Sequence, residues 1–159
     1  TAHSTSAPSI PLSINTFESN ESASSIAEEN GAPATFIRRA NEVNLEMSEY
    51  IVNRVQADND GSLQGKSVLV VGVAYKPNVA DVRETAAELV IKHLRHRGAV
   101  VSWHDDVVGT WHGESSAPLS GADIAVVITK HDVVSERYIL ASAPYVFDTT
   151  GKVKGAVQL

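Results

Sequence analysis

Residues 66–98 constrain the fold more than any other stretch of the chain, because they spell out a strand, a loop and a helix in succession. Val68 to Val73 is an apolar, β-branched run broken only by Gly72, the composition of a strand covered on both faces of a parallel sheet. Thr85 and Glu88 stand three apart ahead of an apolar-periodic segment, a capping-box spacing that makes Thr85 the N-cap. Ala86, Leu89, Val90, His93 and Leu94 follow at helical intervals. Gly98 stops the helix, and Lys92, Arg95 and Arg97 lie near its C-terminus, where the dipole favours cations. The loop between strand and helix holds Lys76 and Arg83. Two cations beside a helix N-terminus, at the carboxyl end of an α/β strand, make a place for phosphate.

The alternation continues downstream. Ala99–Trp103 reads as a second strand, Val107–Gly121 as a loop, Ala122–Thr129 as a third strand, His131–Ala141 as a helix and Pro144–Phe147 as a fourth strand. The pattern predicts an α/β fold, a Rossmann-like parallel sheet of about four strands with flanking helices. In such a sheet the carboxyl ends share one edge. Lys76, His104 with Asp105, Thr129–His131 and Asp148–Thr150 should therefore converge there, although they are distant in sequence.

Upstream, residues 1–21 are rich in Ser, Thr, Asn and Pro without a period and read as a flexible tail. Residues 22–60 form a helical region, with a short helix over Ser22–Asn30 and a long amphipathic helix over 35–57. The long helix takes Thr35 as N-cap and carries a stripe of Phe36, Ile37, Ala40, Val43, Met47, Tyr50, Ile51 and Val55. It exceeds what a small α/β domain needs to cover it, so a second helix or another subunit should share the face. A turn-rich connector then leads into the domain spanning 61–159.

Composition excludes several functions. The 159 residues are 43% hydrophobic and 20% charged, values of an ordinary globular domain with a real core. A net charge of −6 speaks against nucleic acid or an anionic membrane surface as partner, since both require a basic face. No apolar run reaches the length of a membrane span, and no signal-peptide pattern opens the chain. There is no cysteine, which removes disulfides and thiolate zinc sites and fits a reducing, cytoplasmic setting. His93 and His96 stand three apart on one helix, but without Cys or an acidic cluster nearby no metal site is expected. His104-Asp105-Asp106 could hold a cation or mimic a receiver phosphoacceptor site; receivers, however, carry their acidic pair after the first strand, and here it follows the second.

The string from Gly72 through Lys76, Asn78, Asp81 and Arg83 to Thr85 resembles the signature of the UDP-glucose/GDP-mannose dehydrogenase family, at the opening of its C-terminal, UDP-binding domain. The signature, G-x-A-[FY]-K-x-[DN]-x-x-D-x-R-E-[ST], is long and chemically unusual. The resemblance implies that Tyr75 and Lys76 contact a UDP-sugar, and that Arg83 reaches toward NAD held mainly by another domain. Asn78 and Asp81 would hold the loop's shape, and His104 with Asp105 would serve a structural or pocket-edge role. His131, within Thr129-Lys130-His131, is similar to the branch acting on UDP-N-acetylhexosamines. The 35–57 helix resembles the family's long central helix, which implies a homodimer.

Departures from the family are equally concrete. Its members oxidise a sugar C6 alcohol to a carboxylate through a cysteine nucleophile, and this chain has none. Ser9-Ile10-Pro11-Leu12 echoes only part of that cysteine motif, so no catalytic residue is assigned. The G-x-G-x-x-G fingerprint of a dinucleotide site is also lacking. Thr150 stands where the family often has an arginine, with Lys152 nearby to compensate in binding substrate. The chain is thus expected to be the UDP-sugar-binding C-terminal part of an NAD-dependent UDP-sugar 6-dehydrogenase, inactive alone. The alternative is a non-catalytic nucleotide-binding or dimerisation module.

Overall fold

The computed structural model describes residues 34–159. The expectations for the 1–21 tail, the Ser22–Asn30 helix and Ser9–Leu12 lie outside them. The chain divides into two compact units, residues 1–42 and 43–159. Helix α1, Ala34–Asp58, begins in the first and ends in the second. Of the first unit, the described part is the opening of that helix, where Arg39 pairs with Glu42 at 3.2 Å.

The second unit continues with β1 (Ser67–Val71), α2 (Ala86–His96), β2 (Val100–His104), β3 (Thr110–Trp111), β4 (Glu114–Ser115), β5 (Ile124–Val127), α3 (Glu136–Ala141), β6 (Tyr145–Asp148) and β7 (Val157–Gln158). A five-stranded sheet runs β2-β1-β5-β6-β7 with every pair parallel. The expected parallel sheet is present, with one strand more than the four anticipated. β7 spans two residues, too few to show an alternating pattern.

Side chains leave each strand alternately up and down, so β1 feeds two cores. Val68 and Val70 join Ile51, Val52 and Val55 of α1 and Ala87, Val90, Ile91 and Leu94 of α2 on one face. Leu69 and Val71 join Val134, Ile139 and Val153 on the other. Burial on both faces explains the unbroken apolar run.

Helix α2 follows its sequence closely. Thr85 Oγ1 accepts the Ala87 N–H at 3.2 Å. The reciprocal half of the expected capping box does not form, because the Glu88 carboxylate lies 3.6 Å from His112 instead. At the other end Gly98 (φ +84°) donates to the Arg95 carbonyl and Ala99 to that of Leu94, a Schellman closure.

Three other expectations change. The long helix starts at Ala34, so Thr35 lies inside it and is not its N-cap. The segment 107–121 contains the hairpin β3–β4, turned at His112-Gly113 with positive φ at both residues, which suits a two-residue turn. Its Trp111 packs edge-on against Trp103, centroids 6.0 Å apart. The third helix begins at Glu136 rather than His131, because residues 131–135 turn first, with Ser135 extended (φ −71°, ψ 138°). On α1, Ile51, Val52 and Val55 are buried, whereas Val43, Leu45, Met47 and Tyr50 are exposed.

Candidate functional site

The loop from Gly72 to Thr85 leaves β1 at the shared carboxyl edge and is fixed there by buried polar contacts. Gly72 has φ +82°, and a Cβ placed on it would lie 1.8 Å from the Thr129 carbonyl oxygen. Glycine is thus required both by backbone conformation and by the close approach of the turn after β5. The Gly72 N–H donates to the His104 carbonyl at 2.8 Å. Thr129 Oγ1 donates to the Ala74 carbonyl at 2.8 Å.

Asp105, 1% exposed, anchors the loop's base. Its Oδ2 accepts the N–H groups of Val73 and Ala74 at 2.8 and 3.2 Å, and its Oδ1 accepts those of Val107 and Val108 at 2.9 Å each. His131 Nε2 completes the set at 2.9 Å from Oδ2. Burial alone would push this carboxyl up, but the bonds from His131, Val108 and Val73 outweigh it and hold Asp105 below its ordinary value. The charged form is therefore the one built into the fold.

His131 is itself 1% exposed. Its Nδ1 accepts the Asn78 N–H at 2.8 Å, which leaves the ring proton on Nε2 to donate to Asp105. Beside it Asn78 Nδ2 donates to Asp132 Oδ2, and the Asp132 N–H donates to Asn78 Oδ1, each at 2.9 Å. Both ring nitrogens are engaged within the protein, so His131 stands behind the loop and not among the pocket-lining side chains.

The outer half of the loop frames a pocket of about 340 Å³ lined by Tyr75, Asp81, Arg83 and Glu84. The Asp81 carbonyl accepts the Tyr75 N–H, closing the loop on itself. Its carboxylate accepts Arg83 Nε at 3.0 Å and Nη2 at 2.7 Å in a bidentate fork, and the Arg83 N–H at 3.0 Å. Those bonds, with a smaller contribution from the Lys76 charge, hold the Asp81 carboxyl down at about 2, and Asp81 in turn raises the Arg83 guanidinium. Asp81 and Asn78 thus shape the loop, as the family resemblance implied. Glu84 takes φ 54°, a left-handed conformation unusual for a non-glycine residue, directly before the α2 cap.

Of the residues singled out by sequence, the structure brings Tyr75 and Arg83 together in the pocket and leaves Lys76 exposed one residue along. Thr150 and Lys152 are not among the lining side chains. Thr150 turns back on its own strand end, its N–H and Oγ1 donating to Asp148 Oδ1 at 2.8 and 2.7 Å. Glu84 escaped the sequence reading because a left-handed backbone leaves no mark on residue type when the residue is not glycine or asparagine. Among the described residues no group of three or more His, Asp or Glu could hold a metal ion, and no helix is long and apolar enough to cross a membrane.

A parallel sheet whose first loop presents two cations and a capped helix N-terminus at the carboxyl edge defines a nucleotide-binding α/β domain. More narrowly, the UDP-binding domain of the UDP-glucose/GDP-mannose dehydrogenase family matches residues 69–155, and the chain belongs to that family. It is 36% identical over 104 residues to a UDP-N-acetyl-D-mannosamine dehydrogenase of Methanococcus maripaludis, covering 63% of this chain and 24% of that protein. To a UDP-glucose 6-dehydrogenase of Pseudomonas aeruginosa it is 26% identical over 120 residues, covering 65% and 26%. The chain thus spans about a quarter of the length of these relatives. The fold is shared with a UDP-glucose dehydrogenase of Pyrobaculum islandicum at TM-score 0.66 and 24% identity, over 87% of this chain and 34% of that one.

Proposed function

We propose that this domain seats the UDP moiety of a nucleotide sugar against the 72–85 loop, for a protein that oxidises the sugar's C6 alcohol to the uronic acid with NAD. The observation that carries the reading is the pocket of Tyr75, Asp81, Arg83 and Glu84 beside Lys76, within a chain of the UDP-binding family. Tyr75 offers an aromatic face to the nucleotide sugar, and Lys76 a mobile ammonium to its phosphates. Thr150 and Lys152 join them from the end of β6. Arg83, held outward by Asp81, reaches NAD supplied by another domain. Hydride transfer and the nucleophile come from outside this chain, which has no cysteine.

Relatives named for UDP-N-acetyl-D-mannosamine, at 36% identity, and for UDP-glucose, at 34%, make both kinds of UDP-sugar candidate substrates. Residues 1–21 serve as a tail, 22–60 as the end of a central helical domain and 61–159 as the UDP-sugar-binding domain. The exposed stripe of α1 supports pairing of two copies through the 35–57 helix. The absence of cysteine suits a cytoplasmic protein.

Titration calorimetry tests the core of this reading. The chain should bind UDP and UDP-N-acetylhexosamines, and Lys76→Ala should abolish the heat while melting as wild type does. A wild-type chain that dimerises but takes up no UDP would instead establish the non-catalytic assembly module.

A further inference from the structure

We infer that His131 is a positioning residue, a clamp that locks the 74–84 loop in its ligand-ready pose by joining Asn78 to the buried carboxylate of Asp105. The inference rests on the reading that this loop carries the UDP contacts. It adds a device that the pocket itself does not reveal.

The loop is fastened at three depths. Asp105 holds its base through the Val73 and Ala74 amides. Thr85 holds its far end as the cap of α2. Between them the chain bulges outward, and its middle is tied to the rest of the domain by the bonds joining Asn78 to His131 and Asp132. Asn78 sits at φ 66°, so its amide faces inward only because the backbone turns left-handed there. A conformation that costs free energy persists where partners over-determine it.

His131 suits this role because it must present opposite faces at once. Its Nδ1 accepts from a backbone amide while its Nε2 donates to a carboxylate already accepting four backbone N–H groups. No other neutral side chain offers an acceptor and a donor on opposite edges of one rigid ring. Tyr75, Lys76, Asp81, Arg83 and Glu84 all lie within or just outside the segment so fixed. Losing the clamp would leave each of them chemically intact but dispersed over several loop conformers. Apparent affinity then falls by the fraction of molecules still holding the competent one.

The test compares wild type with His131→Leu, which removes both bonds at similar volume, and with Asn78→Gly, which keeps the left-handed backbone and the N–H to His131 while losing the Asp132 bonds. UDP affinity is read by calorimetry, and amide hydrogen exchange is read residue by residue. Imidazole 15N shifts of wild type should show the Nε2–H tautomer with Nδ1 as acceptor. His131→Leu should weaken UDP binding by about tenfold if about one molecule in ten retains the pose, and Asn78→Gly, which keeps the His131 bond, by less. Exchange should quicken across 75–84 and stay unchanged in β1 and β5. Wild-type UDP affinity and unchanged loop exchange in His131→Leu would overturn the clamp, as would the opposite tautomer. If wild type itself binds no UDP, the nucleotide reading falls, and loop exchange alone decides whether the clamp stands. Should His131→Leu fail to fold, the wild-type protein decides: slow exchange of the Asn78 amide together with the Nε2–H tautomer upholds the clamp, and an unprotected Asn78 amide overturns it.

Discussion

Asp105 shows how a single side chain can organise an edge of this domain. A carboxylate buried without partners would be protonated or expelled, yet here five donors converge on it. Asp105→Asn would turn an amide NH2 toward N–H groups that need an acceptor. It should destabilise the fold by about 3 kcal/mol, read as a lower urea midpoint. The same chemistry sets an acid dependence. Asp105 and Asp81 are both held below their ordinary values, Asp81 at about 2, so they bind protons more weakly folded than unfolded. Their contribution is complete above the unfolded-state value, about 4, and is lost as pH falls through the folded values. Denaturant midpoints should therefore decline from about pH 5 toward about pH 2. A midpoint flat across that range would contradict the carboxylate account.

At the level of elements, the β1–loop–α2 unit is where local sequence and final structure agree most closely. The apolar run, the Thr85 cap and the Gly98 stop each act through neighbours a few residues away, and all three are present, although the strand ends at Val71 and the Glu88 half of the capping box does not form. Thr85→Ala should cost about 1 kcal/mol in thermal or urea unfolding, the usual loss of a cap. Gly72→Ala should cost more, about 3 kcal/mol or outright misfolding, because the added methyl meets a backbone carbonyl that cannot step aside. The parallel topology and the convergence of His104, Asp105 and Thr129 on one edge were also legible, since alternating strands and helices leave few arrangements. What was hidden depends on distant partners or very short pairings. The donors to Asp105 come from its own loop and from the segments after β1 and β5, β7 is two residues long, and the β3–β4 hairpin turns on a left-handed histidine. His131 marks a similarity to the UDP-N-acetylhexosamine branch in the sequence, but that both its ring nitrogens bond within the protein shows only in the fold.

For the molecule as a whole, α1 is the element that its own domain least accounts for. A helix of 25 residues is about 37 Å long, and only its last turns contribute to the core. Val43, Leu45, Met47 and Tyr50 are left 43–51% exposed. If two copies pair there, Met47→Glu with Tyr50→Glu should convert a dimer to a monomer in sedimentation analysis, with little change in the melting of the sheet domain. The Tyr145 hydroxyl, which donates to Asp58 at 2.8 Å, ties the helix end to β6, and burial together with that bond raises its pKa. Above this architecture stands one claim, that a uridine diphosphate rests on the loop following β1. Amide chemical-shift mapping tests it most directly, because it reports location as well as binding. Adding UDP should move the resonances of residues 75–85 first and furthest while β7 and the β3–β4 hairpin stay still. Shifts confined elsewhere, or none at saturating UDP, would contradict it.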